Sequence, residues 1–341
     1  MTSITVDVHA HVWLDSVEAA ASRRPHYQEA AAFERSRVGA ASAEVNFEQM
    51  NQVRDRLTDI SARLAAMRSA QVDVQLVSVT PTQYHNWAEL SLAEDITELT
   101  NAGVAAHCMQ APERLVGLGV TPLQHPDAAV WGLENALLTH GLKGIEIPSH
   151  VADPTGGFID LSDRRLDPLW HRACELNAVF FLHPWGCSLD SRLDRWYLAN
   201  SVGQPVEHAV ALSHLIVSGV LDRFPTLKLI AAHGGGYLPA FASRADHAWF
   251  NRIDARASVE PPSAYLRRIY FDSLVHTPLA LRRLVETVGG DQVLMGSDFP
   301  FDMGEPDPVG KILEAGLPAS VCTAVLGGNA HDLGLLSAIT S

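Results

Sequence analysis

The sequence predicts an α/β protein of the (β/α)8 TIM-barrel class, and three observations carry that expectation. Eight short apolar, β-branched runs recur along the 341 residues, and segments of helical periodicity separate most of them. The polar residues that end the runs are also chemically alike, rich in histidine, aspartate, serine and threonine. Runs this apolar suit parallel strands buried on both faces, and their alternation with helices suits a barrel with the helices outside. A doubly wound open sheet is the rival; it calls for a glycine-rich phosphate turn after an early strand, and the chain has none.

The runs are ITVDVHAHV (4–12), VDVQLVSVT (72–80), RLVGLGVTPL (114–123) and GLKGIEIPS (141–149), followed by NAVFFLHPW (177–185), LKLIAAHGG (227–235), RIYFDSLV (268–275) and QVLMGSDFP (292–300). Between them, DISARLAAMRSA (59–70) starts on an aspartate, and the segment 88–108 spaces its apolar residues as a helix does. PDAAVWGLENALLTH carries proline in its first turn, where helices tolerate it. SDRRLDPLWHRACELN, VEHAVALSHLIVSGVLDRF, YLPAFASRADHAWFN and TPLALRRLVETVG follow in the same manner. Two stretches exceed the repeat: residues 14–58, read as an active-site cover inserted after strand one, and the tail after FDMGEPDPVG, read as a C-terminal helical cap. Residues 1–341 read as one domain, with no linker and no internal repeat longer than the βα unit.

Composition bounds the function. At 47% hydrophobic and 19% charged the chain is ordinary globular material, and a formal charge of −14 without a basic stripe argues against a nucleic-acid partner. No apolar run approaches the ~18 residues of a membrane span, and the start MTSITVDVHAHV lacks the features of a signal peptide. Cys108, Cys174, Cys187 and Cys322 are scattered without a CxxC pair, which fits a reducing cytoplasm.

Sixteen histidines are many for this length. His26, His107, His125, His140, His150 and His171 fall in loops or helices, where a solvated side chain is the expectation. Those at the ends of apolar runs differ, because barrel chemistry lies at the C-terminal ends of the strands. Run one ends in His9 and His11, run two in Thr80, run three in Thr121, and run four in Glu146 and Ser149. Run five ends in His183, run six in His233, run seven in Asp272 and Ser273, and run eight in Ser297 and Asp298. Residues i and i+2 of a strand point the same way, ~6.6 Å apart. His9 and His11 are therefore expected to face the barrel axis together, with Val8 and Val12 packed outward. With His183 and Asp298 they make a His3Asp set suited to zinc, and less selectively to manganese or iron. Singly, each reads as a hydrogen-bonded barrel residue or a turn cap; together, at one end, they read as a site.

At these residues the chain resembles the amidohydrolase superfamily, and within it the branch of aminocarboxymuconate-semialdehyde decarboxylase and related nonoxidative decarboxylases. The resemblance runs through DVHAHVW, VSVTPTQYHNW, FLHPWG, LSHLIVSGVLDRFPTLKLIAAHGGG, SRADHAW, PPSAYLRRIYFDS and LMGSDFPF, in that order across nearly the whole chain. It implies one zinc per subunit held by His9, His11, His183 and Asp298, with His233 off the metal as acid/base beside a metal-bound water. Binuclear members need a lysine closing run four; here Lys143 opens that run, so a single metal is expected. Arg244 matches an arginine that reaches the neighbouring subunit's active site, which implies a homodimer.

One departure concerns the substrate. The family's decarboxylase carries an arginine for a substrate carboxylate in an NFR sequence after strand one. Here NFEQMNQVRDR places Glu48 at that position, with Arg54 and Arg56 further along. The implied activity is decarboxylation of a small unsaturated or aromatic carboxylic acid, with hydrolysis of an amide, ester or C–C bond as the alternative for the same machinery. A non-catalytic metal-binding barrel would lack part of the set, and no part is missing. Trp185, Trp196 and Tyr84 are candidate aromatic walls, although ordinary packing explains the two tryptophans nearly as well. Arg192, Arg195 and Arg244 are candidate anion partners, and Asp272 is expected to orient a neighbour by hydrogen bond. The glycines of AHGGG read as allowing backbone to pass close to the site rather than as a phosphate cradle.

Overall fold

The structure, a computed structural model, describes residues 4–336. Each of the eight apolar runs forms a strand: β1 (Val6–Val12), β2 (Val74–Val79), β3 (Leu115–Gly117), β4 (Gly144–Ile147), then β7 (Val179–Leu182), β8 (Lys228–Ala231), β9 (Tyr270–Asp272) and β10 (Val293–Leu294). Between β4 and β7 lies an antiparallel hairpin, β5 (His150–Ala152) and β6 (Phe158–Asp160), which the sequence pattern does not announce. The barrel strands pair in parallel in the orders β1-β2-β3 and β10-β9-β8-β7-β4. Parallel bridges Gly119↔Ile145 and Ala10↔Phe299 join the two sets at both seams. Backbone bonds such as Glu146 N to Gly119 O (2.8 Å) and His11 N to Phe299 O (2.8 Å) support that closure. The result is a (β/α)8 barrel.

Two apolar layers follow from strand alternation. Val6, Val8, Val74, Leu76, Val116, Leu118, Phe181 and Ile230 fill the barrel interior. The alternate residues, among them Val77, Ile145, Phe180, Leu229 and Phe271, pack against the helices outside.

The insertion forms α1 (Asp15–Ser22), α2 (Tyr27–Val38) and α3 (Ala40–Thr58). The outer layer begins with α4 (Ile60–Ser69), α5 (Leu90–Cys108), α6 (Pro126–Glu134) and α7 (Asp167–Leu176), and continues with α8 (Gln204–Val217), α9 (Val220–Arg223), α10 (Leu238–Asn251) and α11 (Pro278–Val288). Their starts are chemically marked. The Asp59 carboxylate accepts from Ser61 N and Ala62 N at α4, and Thr277 Oγ1 accepts from Ala280 N ahead of Pro278 at α11. The tail, α12 (Pro308–Glu314), α13 (Ala319–Thr323) and α14 (Asn329–Asp332), brings Ala330, Leu333, Leu335 and Leu336 onto the interior residues. The Leu333 carbonyl accepts from Lys228 Nζ at the start of β8, so the cap closes the barrel end opposite the strand C-termini.

Two expectations need correction. Val8 faces the interior rather than outward, because β1 carries a bulge. Asp7 pairs with Gln75 and Ala10 with Val77, so two residues of β1 oppose one of β2. That extra residue resets the alternation, letting Val6 and Val8 and then His9 and His11 all face inward. His107, expected in solvent, is buried on α5; burial and the nearby Arg63 guanidinium push its pKa down to about 4.

Candidate active site

The bulge in β1, the end of β7 and the turn after β10 bring His9, His11, His183 and Asp298 together. One ligand atom from each lies within 4.8 Å of all the others, and all four residues are buried. The His9, His11 and His183 rings sit 5.1 to 5.2 Å apart, centroid to centroid.

Each imidazole has its outer nitrogen committed. His9 Nδ1 meets Asp272 Oδ2 at 2.7 Å, His11 Nδ1 meets the Val79 carbonyl at 3.2 Å, and His183 Nδ1 meets the Pro184 carbonyl at 2.9 Å. Carbonyls and carboxylates only accept, so the ring proton belongs on Nδ1 and a lone pair is left on Nε2. The Nε2 atoms of His9 and His11 are buried without a hydrogen-bond partner, 3.4 and 3.2 Å from Asp298 Oδ1. Lone pairs held against a carboxylate oxygen in a dry site are repulsive unless a cation lies between them. The donor set therefore fits a metal ion. Burial pushes the His183 pKa well down, and the neighbouring imidazoles add to the shift, which leaves a neutral ligand.

A buried frame positions these groups. Asp7 accepts from Ser297 N (2.9 Å), Ser297 Oγ (2.6 Å), Gln75 Nε2 (3.0 Å) and His9 N (3.1 Å), tying β1 to the turn that carries Asp298. Arg63, itself fully buried, donates to Gln75 Oε1 and to the His11 carbonyl. Asp272 does more than orient His9: its Oδ1 accepts from Gly234 N at 2.8 Å, so one carboxylate holds a proposed ligand and the turn bearing His233. That turn needs its glycine, since Gly234 has φ +59° and a Cβ there would lie 2.4 Å from Val275 Cγ1. His233 stands outside the four-residue cluster, its Nε2 3.7 Å from Asp298 Oδ2 and its Nδ1 3.1 Å from His208 Nε2.

The remaining candidates divide. Tyr84 is buried with its hydroxyl donating to Glu146, the inward-facing residue of β4; burial raises the Glu146 pKa, and burial and Glu146 together raise that of the phenol. Lys143 immediately precedes β4, at the end of that strand away from the cluster. Trp185 is half-buried and lines a cavity of about 50 Å³ with Arg37, Asn46 and Tyr197. Trp196 is 83% exposed and forms no wall here, because its loop turns the ring out to solvent. Arg192 and Arg195 are exposed, with Arg195 3.7 Å from Asp194. Glu48 and Arg56 are exposed on α3, and Arg54 is spent on Asp15 and the face of Trp13. Arg244 is exposed on α10. The sequence reading missed Arg37, Tyr197 and His208; of these, only the aromatic and basic character of Tyr197 and Arg37 offered a signal.

A parallel eight-stranded barrel with nitrogen and oxygen donors converging at its C-terminal mouth defines a metal-site barrel of the hydrolase and lyase kind. The chain belongs to the amidohydrolase family, whose model matches residues 6–333. It is 35% identical to a 2-amino-3-carboxymuconate-6-semialdehyde decarboxylase of Dictyostelium discoideum, over 81% of this chain and 77% of that one. The crystal structure of 5-carboxyvanillate decarboxylase from Sphingomonas paucimobilis superposes with a TM-score of 0.82 at 25% identity, covering 97% of this chain and 99% of the other. A dihydroxybenzoic acid decarboxylase from Polaromonas sp. JS666, solved with manganese and 2-nitroresorcinol, has the same fold, with a TM-score of 0.82 at 20% identity and 98% of each chain covered.

Proposed function

We propose that the protein is a metal-dependent, nonoxidative decarboxylase of a small unsaturated or aromatic carboxylic acid. The observation that carries this reading is the pair of unpartnered Nε2 lone pairs of His9 and His11 turned onto Asp298, with a further imidazole, His233, just outside the set. His9, His11, His183 and Asp298 would hold one metal. Zinc suits this mixed nitrogen and oxygen set, and manganese is the metal in the Polaromonas structure. When bound, the metal supplies a Lewis acid for the substrate carboxylate and its adjacent oxygen.

The chain's own groups manage the proton. Asp298 Oδ2 and His233 Nε2 lie 3.7 Å apart, too far to share a proton directly, and the His233 N–H is the group proposed to deliver one to the carbon that bears the carboxylate. Protonation forms the new C–H bond; the C–C bond then breaks, its electron pair restores the π system, and carbon dioxide leaves. No electron-sink cofactor is required. Arg37, a partly buried guanidinium in the cavity beside Trp185, is the proposed anion partner in place of an arginine at position 48. The helices of residues 14–58 serve as the cover that brings it there, and residues 1–341 act as one domain.

A homodimer belongs to the same proposal. The Arg244 side chain has no ion pair or hydrogen bond among the described residues, and Phe241, one turn before it on the same face of α10, is 67% exposed, a surface suited to a second copy. A reducing, cytoplasmic setting fits the four free cysteines. No described helix is long and apolar enough to cross a membrane.

The test is product analysis on a panel of aromatic and unsaturated carboxylates, with the parent amides and esters alongside. Carbon dioxide release is the expected result. Hydrolysis products without carbon dioxide would replace this reading with the hydrolase alternative.

A further inference from the structure

We propose that His208 is a positioning residue: its Nε2, 3.1 Å from His233 Nδ1, fixes the His233 ring so that Nε2, carrying the ring proton, is the nitrogen presented to substrate. For its catalytic consequence this rests on the decarboxylase reading; the geometry stands independently of it.

His208 lies on α8 and is 0% exposed. The turn after β8 is pressed onto that helix: Gly236 has φ +61°, and a Cβ there would lie 2.4 Å from the Pro205 carbonyl oxygen and 2.9 Å from His208 Cβ. The two imidazoles cross at 74° with centroids 5.3 Å apart, which aims nitrogen at nitrogen. His233 itself has φ +51°, a conformation a non-glycine residue holds only when its surroundings enforce it. Among the described residues His208 is the one hydrogen-bond partner of His233 Nδ1.

The proton positions follow from the two ends of the line. His208 Nδ1 is buried with no partner. A proton there would be an orphaned buried N–H, which folded proteins avoid more strictly than an unpaired acceptor. The His208 proton therefore sits on Nε2 and is donated to His233 Nδ1. At the other end, the Asp298 carboxylate 3.7 Å from His233 Nε2 favours a donor on that atom. Both ends select one arrangement, in which His208 donates to His233 and His233 turns its own N–H toward Asp298 and the substrate. Burial, with His233 and His9 nearby, holds the His208 pKa well below the ordinary imidazole value, which keeps it neutral in this role.

Two readouts test this. Imidazole ¹⁵N spectra of histidine-labelled protein, with His233 assigned from His233→Asn, are expected to show His233 protonated on Nε2 in wild type and a mixture of tautomers in His208→Leu. A wild-type His233 protonated on Nδ1, or a spectrum unmoved by His208→Leu, would overturn the assignment. In steady-state assays His208→Leu should lower kcat about tenfold to hundredfold with KM and metal content unchanged. His208→Gln, whose amide nitrogen replaces Nε2, should stay within about threefold of wild type. A His208→Gln enzyme as slow as His208→Leu, or a loss that tracks metal content, would mean His208 only fills space. If wild type releases carbon dioxide from none of the acids, the decarboxylase reading alone fails, and the nitrogen spectra still decide His208.

Discussion

His9 Nδ1 and Asp272 Oδ2 meet at 2.7 Å with both side chains closed to solvent, and the other oxygen of the same carboxylate takes the Gly234 N–H at 2.8 Å. One side chain from β9 thus sets the orientation of a proposed ligand on β1 and the path of the turn that carries His233. Replacing it by asparagine keeps the shape but removes the charge that makes the His9 lone pair a strong donor. Asp272→Asn is expected to weaken metal binding about tenfold to hundredfold, measured by competition with a chromogenic chelator. Unchanged affinity would remove Asp272 from the site's support.

Arg37 offers a test of the substrate end. Its side chain is 16% exposed, paired with Glu34 and stacked over Phe33, with Nε buried and without a hydrogen bond. Arg37→Met should raise KM for a carboxylate substrate about tenfold with a smaller effect on kcat, the pattern of lost ground-state binding. Trp196→Ala serves as control; a side chain 83% exposed should change neither activity nor Tm appreciably. Equal effects of the two substitutions would contradict this placement of the pocket.

Acid stability should report on Glu207, the residue before His208. Its carboxylate accepts from Ser188 N (2.7 Å) and Ser188 Oγ (2.8 Å) and lies 3.0 Å from His150 Nδ1, pinning the loop after His183. Burial opposes the charge, but these partners win and bring the pKa from 4.5 to about 2. A depressed folded-state pKa means the unfolded chain takes up the proton first. The stabilisation is therefore complete above the ordinary carboxylate value and is lost as pH falls from 4.5 toward 2. Glu207→Gln should cost about 2 kcal/mol at neutral pH, with the gap to wild type closing across that acid window in urea titrations. A gap that stays constant down to the acid end would contradict the assignment.

The barrel was legible because its strands are buried on both faces, so each reads as a short apolar run bounded by turn residues. The hairpin β5–β6 was not, since three-residue strands such as His150–Ala152 leave no alternation to read. Asp298 and His183 could be placed at strand ends from their runs alone. The bulge that turns His9 and His11 inward after Val8 could not, because its parity is set by pairing with β2. His208 looks like any polar residue on an amphipathic helix until the fold brings α8 against the AHGGG turn. The cover was the least legible part: its helices have little apolar periodicity, and the structure leaves Glu48 in solvent while Arg37, eleven residues earlier, faces the cavity.

In the proposed mechanism His9, His11, His183 and Asp298 hold the metal on which carbon dioxide release depends. The direct measurement is carbon dioxide evolution against metal occupancy, as protein stripped by a chelator is titrated back with zinc or manganese. Activity is expected to rise in proportion to occupancy and level off at one ion per subunit, with Asp298→Ala neither retaining the metal nor recovering activity. Metal-free protein with full activity would contradict the account.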